Sequence, residues 1–197
     1  MTAIRMRIVL ILLLLCAAQG AQAHIQAAEA SGFLSGFMHP VSGLDHVLAM
    51  FAVGLWGAQL GRRAMWVLPV TFPLLMAFGA TLALLGMPLP GVEIGIAASA
   101  LLLGVAVMTE QRPRLAAAAV VVGFFAIFHG HAHGAELPAG QSGLLYGLGF
   151  ILATASLHLA GIAVGNVRRL RRGELSLRGA GAAIGAAGIF FLWQAMG

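Results

Sequence analysis

Six apolar segments follow one another along the chain, and short breaks that contain Arg, Gly or Pro separate them. The segments cover roughly residues 40–60, 64–86, 92–109, 114–133, 142–166 and 177–196. Each is close to the length of about 20 residues that an α-helix needs to cross the apolar core of a bilayer. The pattern predicts an all-α fold, a polytopic membrane bundle of six transmembrane helices that leaves no room for an extramembrane domain.

A shorter apolar stretch, residues 8–18, follows two arginines near the N-terminus. At about eleven residues it is short for a transmembrane span. Residues 21–23, with the sequence AQA, then match the A-x-A pattern of a signal peptidase site. We therefore expect residues 1–23 to be a cleaved signal peptide and residues 24–197 to form one transmembrane domain, with a retained first helix as the alternative. Cys16, the only cysteine, would leave with the signal peptide, so the mature chain would offer no thiolate ligand.

Few charges accompany these apolar segments. The chain is 60% hydrophobic and 9% charged, with a mean hydropathy of +0.97, whereas a soluble domain has about 25% charged residues. This composition excludes an ordinary soluble domain. The chain also has no lysine, which excludes a P-loop ATPase because that phosphate site requires its lysine.

The basic residues are all arginines and lie at the ends of the apolar segments. A net charge of +5 would favour nucleic acid as the partner of a soluble protein. This placement instead follows the positive-inside rule of membrane proteins, so we expect the bilayer and no nucleic acid as a partner. The first, third and fifth connections contain Arg62, Arg63, Arg112, Arg114, Arg168, Arg169, Arg171, Arg172 and Arg178. Since such connections face the cytoplasm, both mature termini should lie on the opposite side.

Glycines four residues apart recur in the predicted spans. The pairs are Gly57/Gly61, Gly91/Gly95, Gly143/Gly147, Gly161/Gly165 and Gly181/Gly185. Small residues at this spacing let helices approach closely in lipid, so the pattern favours a compact bundle.

Five of the seven histidines lie in two short segments. The first, residues 39–46, has the sequence HPVSGLDH, and the second, residues 128–136, has the sequence FHGHAHGAE. The predicted topology places the first at the outer start of span one and the second at the outer end of span four, so histidines that are distant in sequence meet at one depth. Ionisable residues inside a membrane are costly to bury and are functional candidates for that reason.

Helical spacing groups the second segment into a candidate metal site. His129 and His133 are four residues apart and Glu136 is seven residues from His129, so all three share one helix face. They offer two nitrogens and one oxygen to a divalent ion. His131, also a candidate, would point away from this face, toward another helix or the aqueous side.

The first segment poses a geometric problem. His39 and His46 share a helix face, but they are about 10.5 Å apart along the axis of a continuous helix. They can bind one ion only if Pro40 and Gly43 break the helix between them; otherwise they serve successive sites. Asp45 could orient His46, act as a ligand itself, or cap the helix.

Two further residues complete the candidate set. His158 lies well inside the fifth span, as a deeper station on a path or as a hydrogen-bonded core residue. His24 would be the new N-terminus after cleavage, where its α-amine and imidazole could chelate a metal. Glu93 lies near the start of the third span, where a carboxylate offsets the helix dipole. Imidazoles and carboxylates without cysteine suit Ni, Co, Zn or Cu(II), whereas Ca and Mg prefer all-oxygen shells.

In these two segments the chain resembles the HupE/UreJ family of bacterial metal permeases, whose motifs HPxxGxDH and FHGxAHGxE match residues 39–46 and 128–136. Residues 147–165, with His158, resemble the family's fifth span, and the similarity covers essentially the whole mature chain. The resemblance implies a nickel permease of the bacterial inner membrane, linked to hydrogenase or urease maturation, rather than an enzyme, and without a tightly bound cofactor. Cobalt, copper and zinc stay open as alternative ions. The metal-handling role falls on His39, Asp45, His46, His129, His133 and Glu136.

The predicted mechanism is secondary uptake of the metal from the outside to the cytoplasm, and three other classes stay open. A membrane-embedded zinc hydrolase of lipids would use Glu136 or Asp45 to activate water. Residues 140–143, GQSG, match the GxSG of intramembrane serine proteases, but the candidate base His158 lies about 24 Å along the same helix, with His133 as a substitute. Two histidines could also ligate haem across helices.

Overall fold

The structure, a computed structural model, describes residues 32–137, 140–166 and 173–197. These residues form seven helices and no strand, in agreement with the predicted all-α fold. The helices are α1 (Phe33–Ser42), α2 (Leu44–Leu60), α3 (Ala64–Leu84), α4 (Val92–Met108), α5 (Leu115–Ala135), α6 (Gly143–Gly165) and α7 (Gly173–Met196). The predicted signal peptide, His24 and the arginines between 168 and 172 lie outside the described residues.

The first predicted span is two helices rather than one. Helices α1 and α2 meet at an angle of 86°, and Gly43 between them has an extended backbone (φ −100°, ψ 117°). Pro40 lies in the last turn and a half of α1, where it has no N–H to donate to the preceding turn. Helix α1 therefore ends soon after this proline, and the histidine-bearing segment bends sharply.

Four helices are long and apolar enough to cross a membrane: α3, α5, α6 and α7. The bent pair α1 and α2 counts as a fifth span if its two helices cross together, and α4 is shorter, at 17 residues. Each of the six predicted segments thus contains a helix, while the number of complete spans stays a prediction. Large apolar side chains such as Leu74, Val120, Leu144 and Trp193 are exposed on the outer surface, as expected of helices that face lipid.

Helix α2 is the centre of the bundle. Ten of its residues are buried, and it packs against all the other described helices, most extensively against α6. Around it, α3 packs along α5 and α4 packs along α7. The α3–α5 crossing is so close that a Cβ at Gly130 would collide with the backbone of Met76, which fixes the depth of the histidines on α5 relative to α3.

The arginine-bearing connections lie at one end of the bundle. The Trp56 indole donates to the carbonyl of Gln111 at 2.9 Å, which joins the end of α2 to the end of α4. One small cavity there is lined by residues from α2, the third connection and α7: Gln59, Glu110, Arg112, Glu174 and Leu177. The first and third connections and the start of α7 therefore share an end, which is the grouping that the arginine pattern predicts.

Candidate metal centre

Three imidazoles converge at the opposite end, where α2 begins and α5 ends. His46, His129 and His133 each offer a ring nitrogen, and these atoms lie within 4.8 Å of one another. The ring centroid of His46 is 4.7 Å from that of His129 and 4.5 Å from that of His133. His129 is fully buried and His133 is 6% exposed. We refer to these three residues as the three-imidazole site.

Asp45 determines which nitrogen of His46 is free. One carboxylate oxygen, Oδ1, accepts the backbone N–H of His46 at 2.8 Å and is 2.9 Å from its Nδ1. A carboxylate can only accept, so Nδ1 has the hydrogen and Nε2 has the lone pair. That Nε2 is buried and has no hydrogen-bond partner in the described part of the chain. A Cβ at Gly43 would press on both side chains, so glycine at the bend leaves room for this pair.

Ser99 determines in a similar way which ring nitrogen of His129 is free. Its hydroxyl lies 2.6 Å from the carbonyl of Ile96, to which it donates, and 2.9 Å from Nε2 of His129. The serine has one hydrogen, and since it goes to the carbonyl, the imidazole Nε2–H must be the donor to the serine oxygen. The lone pair of His129 is then on Nδ1, which is buried without a partner among the described residues. Partners of this kind behind a histidine fix its ring and raise its basicity as a metal ligand.

His133 also belongs to a second, more exposed group with His39 and Glu136. Nε2 of His39 donates to a carboxylate oxygen of Glu136 at 2.8 Å, and the two side chains are 25% and 58% exposed. The rings of His39 and His133 are 4.7 Å apart. Both nitrogens of His133 are buried without a described partner, so this residue can take part in either group. We refer to His39, His133 and Glu136 as the outer group.

The bend at Gly43 resolves the geometric problem of the first segment. Because the helix breaks there, His39 and His46 both contact His133 from different directions. The set expected from helical spacing alone, His129 with His133 and Glu136, is divided instead, because Glu136 lies just past the end of α5 and turns toward His39.

The remaining candidates have other surroundings. His131 donates to the carbonyl of Met87 at 2.9 Å and belongs to neither group, so it points away from the site as its spacing indicates. Asp45 contacts His46 and is in neither group, which fits the orienting role among those expected of it. Ser142 accepts the N–H of Leu145 at 3.4 Å as the N-cap of α6, which gives the GxSG serine a structural role.

Sequence reasoning missed several residues at this end. Ser99 could have been noticed as a hydroxyl within an apolar run. Glu93, expected only to offset a helix dipole, lines a cavity of about 200 Å³ together with Asp45 and Gln194. Phe72 is fully buried, with its ring centroid 5.4 Å from that of His129, and no pattern in the sequence distinguishes it from other apolar residues of α3.

Apolar helices around a buried cluster of unpaired imidazole nitrogens define a helical membrane protein with a candidate centre for a divalent transition metal. The chain belongs to the HupE/UreJ family, whose sequence pattern, described as HupE / UreJ protein, matches residues 12–191. It is 44% identical over 172 residues to Protein HupE of Rhizobium leguminosarum bv. viciae, an alignment that covers 87% of this chain and 90% of that protein. No solved structure matches the chain at a significant level. The resemblance inferred from the two histidine motifs is confirmed.

Proposed function

We propose that the protein is a permease that takes up a divalent transition metal, with Ni²⁺ as the favoured ion, from the periplasm to the cytoplasm. In this proposal it spans the bacterial inner membrane with both mature termini in the periplasm, and the metal serves hydrogenase or urease maturation. The metal is cargo, and no tightly bound cofactor takes part. Cobalt, copper and zinc are the alternative ions.

The observation that supports this proposal is the set of unpaired lone pairs in the three-imidazole site. A buried polar atom without a hydrogen-bond partner costs about 1–3 kcal/mol, and this site has such atoms on His46, His129 and His133. Asp45 and Ser99 hold two of the rings with the lone pair, not the N–H, left free. A divalent cation can accept one lone pair from each of the three rings at once, and imidazole nitrogen is a preferred ligand of Ni²⁺ and its neighbours in the series.

The outer group supports an order of events. His39 and Glu136 are partly exposed and reach an arriving hydrated ion before the buried rings do. His133, which belongs to both groups, then receives the ion from the outer group and holds it together with His46 and His129. The ion exchanges its water ligands for protein ligands in steps, so it need not lose its whole hydration shell at once.

The membrane potential supplies enough energy for uptake of a scarce metal. At about 100 mV, a divalent ion gains about 4.6 kcal/mol on moving to a negative interior. This is a factor of about 10³ in concentration, since each 1.4 kcal/mol corresponds to tenfold. Release on the inner side requires that binding stay moderate, and neutral imidazoles bind transition metals less tightly than thiolates do.

A matched pair of histidine variants tests the proposal. His133 belongs to both groups, whereas His131, two residues away on the same helix, belongs to neither. We expect His133→Ala to lower Ni²⁺ uptake into proteoliposomes at least tenfold at an imposed inside-negative potential, and His131→Ala to keep uptake within about twofold of the parent protein. Adding Co²⁺, Zn²⁺ or Cu²⁺ in competition ranks the ions.

Insertion and folding of both variants are checked by size-exclusion chromatography and circular dichroism in detergent. The proposal is wrong if well-folded His133→Ala takes up Ni²⁺ as fast as the parent. Tightly held zinc with turnover of a lipid amide or ester, and no flux, would support the zinc hydrolase instead.

A further inference from the structure

A second group of unpaired polar atoms lies deeper in the bundle, on α6. His158 is 1% exposed and neither of its ring nitrogens has a partner in the described part of the chain. The Thr154 hydroxyl, fully buried one turn earlier on the same helix, also has none. Residues four apart lie on the same helix face, so these three polar atoms face one region of the interior.

Packing prevents these groups from reaching water by a small shift of the helix. Helix α6 lies directly against α2 here, where a Cβ at Gly54 would collide with the carbonyl oxygen of His158. A Cβ at Gly161 would likewise collide with the backbone of α2. A neutral imidazole has one donor and one acceptor, and leaving both unmet in an apolar interior is costly. The position therefore requires a polar occupant.

The Phe72 ring contacts both His158 of this deeper position and His129 of the three-imidazole site. Its ring centroid is 5.4 Å from that of His129 and 5.3 Å from that of His158, the latter in an edge-on arrangement of 85°. The two histidine rings are therefore at most about 11 Å apart. Along α6, His158 lies about 22 Å from the helix start and about 10 Å from its end, so it is nearer to the arginine-bearing end than the three-imidazole site is.

We propose that His158 and Thr154 form an inner metal station, separated from the three-imidazole site by the Phe72 ring. The ion leaves three nitrogens for one nitrogen, one hydroxyl oxygen and water, a weaker set that favours release to the cytoplasm. Rotation of the Phe72 side chain opens the passage between the two positions. This inference rests on the proposed uptake function and adds a second site to it.

The test separates binding at the outer end from transport through the bundle. Three variants are compared with the parent in nanodiscs and proteoliposomes: His158→Leu, Thr154→Val and, as the control, Ser156→Ala. Ser156 is on the same helix but exposed, and its hydroxyl donates to its own helix at Leu152. Equilibrium Ni²⁺ binding is measured by calorimetry, and Ni²⁺ uptake is measured at a fixed inside-negative potential.

We expect His158→Leu to lower uptake at least tenfold and Thr154→Val to lower it about threefold, while the affinity of the first Ni²⁺ bound changes by no more than about threefold. A weaker second Ni²⁺ should bind to the parent and to Ser156→Ala and be lost in His158→Leu. Thr154→Val, which keeps the side-chain shape, decides the question if His158→Leu does not fold.

Unchanged uptake in folded His158→Leu, or in Thr154→Val where His158→Leu does not fold, overturns the inner station. An equal loss of first-site affinity and uptake also overturns it, because His158 would then act by supporting the outer site. Failure of the parent protein to bind or move Ni²⁺ would overturn the proposed function itself, so the two failures are distinguishable.

Discussion

Replacing Asp45 should weaken metal binding although this residue is in neither metal group. Its carboxylate holds the His46 ring with Nδ1–H toward itself and Nε2 toward the other imidazoles. Without that acceptor, the His46 ring can take the other tautomer and rotate away. A hydrogen bond to a charged group contributes about 1.5–3 kcal/mol, which corresponds to about 10–100-fold in affinity, the range measured when a partner behind a metal ligand is removed.

Two substitutions separate the hydrogen bond from the charge. Asp45→Ala removes both, and we expect Ni²⁺ affinity to fall about 10–100-fold. Asp45→Asn keeps an oxygen that can accept from His46 but loses the charge; a neutral hydrogen bond retains about 0.5–1.5 kcal/mol, so the loss should be smaller, at about two- to tenfold. Glu174→Gln is the control, since it removes an exposed carboxylate at the arginine-bearing end.

Calorimetric titration of Ni²⁺ into each purified variant gives the affinities, and thermal unfolding shows whether the loss of a first-turn carboxylate on α2 has weakened the fold. Affinity within twofold of the parent in folded Asp45→Ala would refute the orienting role. If Asp45→Asn lost as much affinity as Asp45→Ala, the charge would be acting on the ion directly, and the argument from the hydrogen bond would be wrong.

Three further predictions concern the packing, the outer group and the orientation. Gly130→Ala should reduce thermal stability and Ni²⁺ affinity because its Cβ meets the backbone of α3, whereas Gly147→Ala, whose Cβ meets nothing within 4 Å, should change neither; equal behaviour of the two would contradict this. Glu136→Gln should raise the Ni²⁺ concentration for half-maximal uptake severalfold and leave the maximal rate nearly unchanged, and a fall in the maximal rate alone would be the opposite result. In a background with Cys16 replaced by Ala, a membrane-impermeant thiol reagent should label Glu136→Cys from the periplasmic side and Arg63→Cys only after the cytoplasmic side is exposed; labelling of both from one side would reject the proposed topology.

Hydrophobic segment length predicts where the helices lie, because crossing an apolar medium requires both an apolar surface and a fully hydrogen-bonded backbone. The predicted segment 64–86 is helix α3, at Ala64–Leu84, and 142–166 is α6, at Gly143–Gly165. The sequence shows that the first segment can bend, but not that it does bend. Pro40 and Gly43 permit a break, but whether the chain turns by 86° depends on what packs against it.

Glycine spacing predicts close packing only in part. An added Cβ would collide with the neighbouring helix at Gly161, Gly165 and Gly181, whereas at Gly185 it would make only an ordinary contact. A Cβ added at Gly147 would instead meet no atom within 4 Å. A four-residue spacing shows that two glycines share a helix face, but which face meets another helix is decided by the packing of the whole bundle.

Which of the candidate residues handle a metal stays a prediction, and their grouping in space differs in part from what helical spacing indicates. Helical spacing correctly places His131 away from its neighbours. It fails for Glu136, which lies past the last residue of α5 and follows the direction of the loop rather than the helix. The contribution of Ser99 depends on a contact between α4 and α5, and no local pattern in either helix encodes such a contact.

The charge around the three-imidazole site bears on release as well as binding. His129 lies about 9 Å from the end of α5, within an apolar bundle where a bare divalent ion would be costly. The imidazoles supply no charge, and among the described residues the carboxylate that is hydrogen-bonded to one of the three rings is Asp45, behind His46. The ion and this carboxylate together retain about one positive charge, which the membrane potential continues to pull inward. A second carboxylate in contact with these rings would neutralise the ion and oppose its release, so a site built mainly from neutral nitrogen ligands suits a permease better than a storage site.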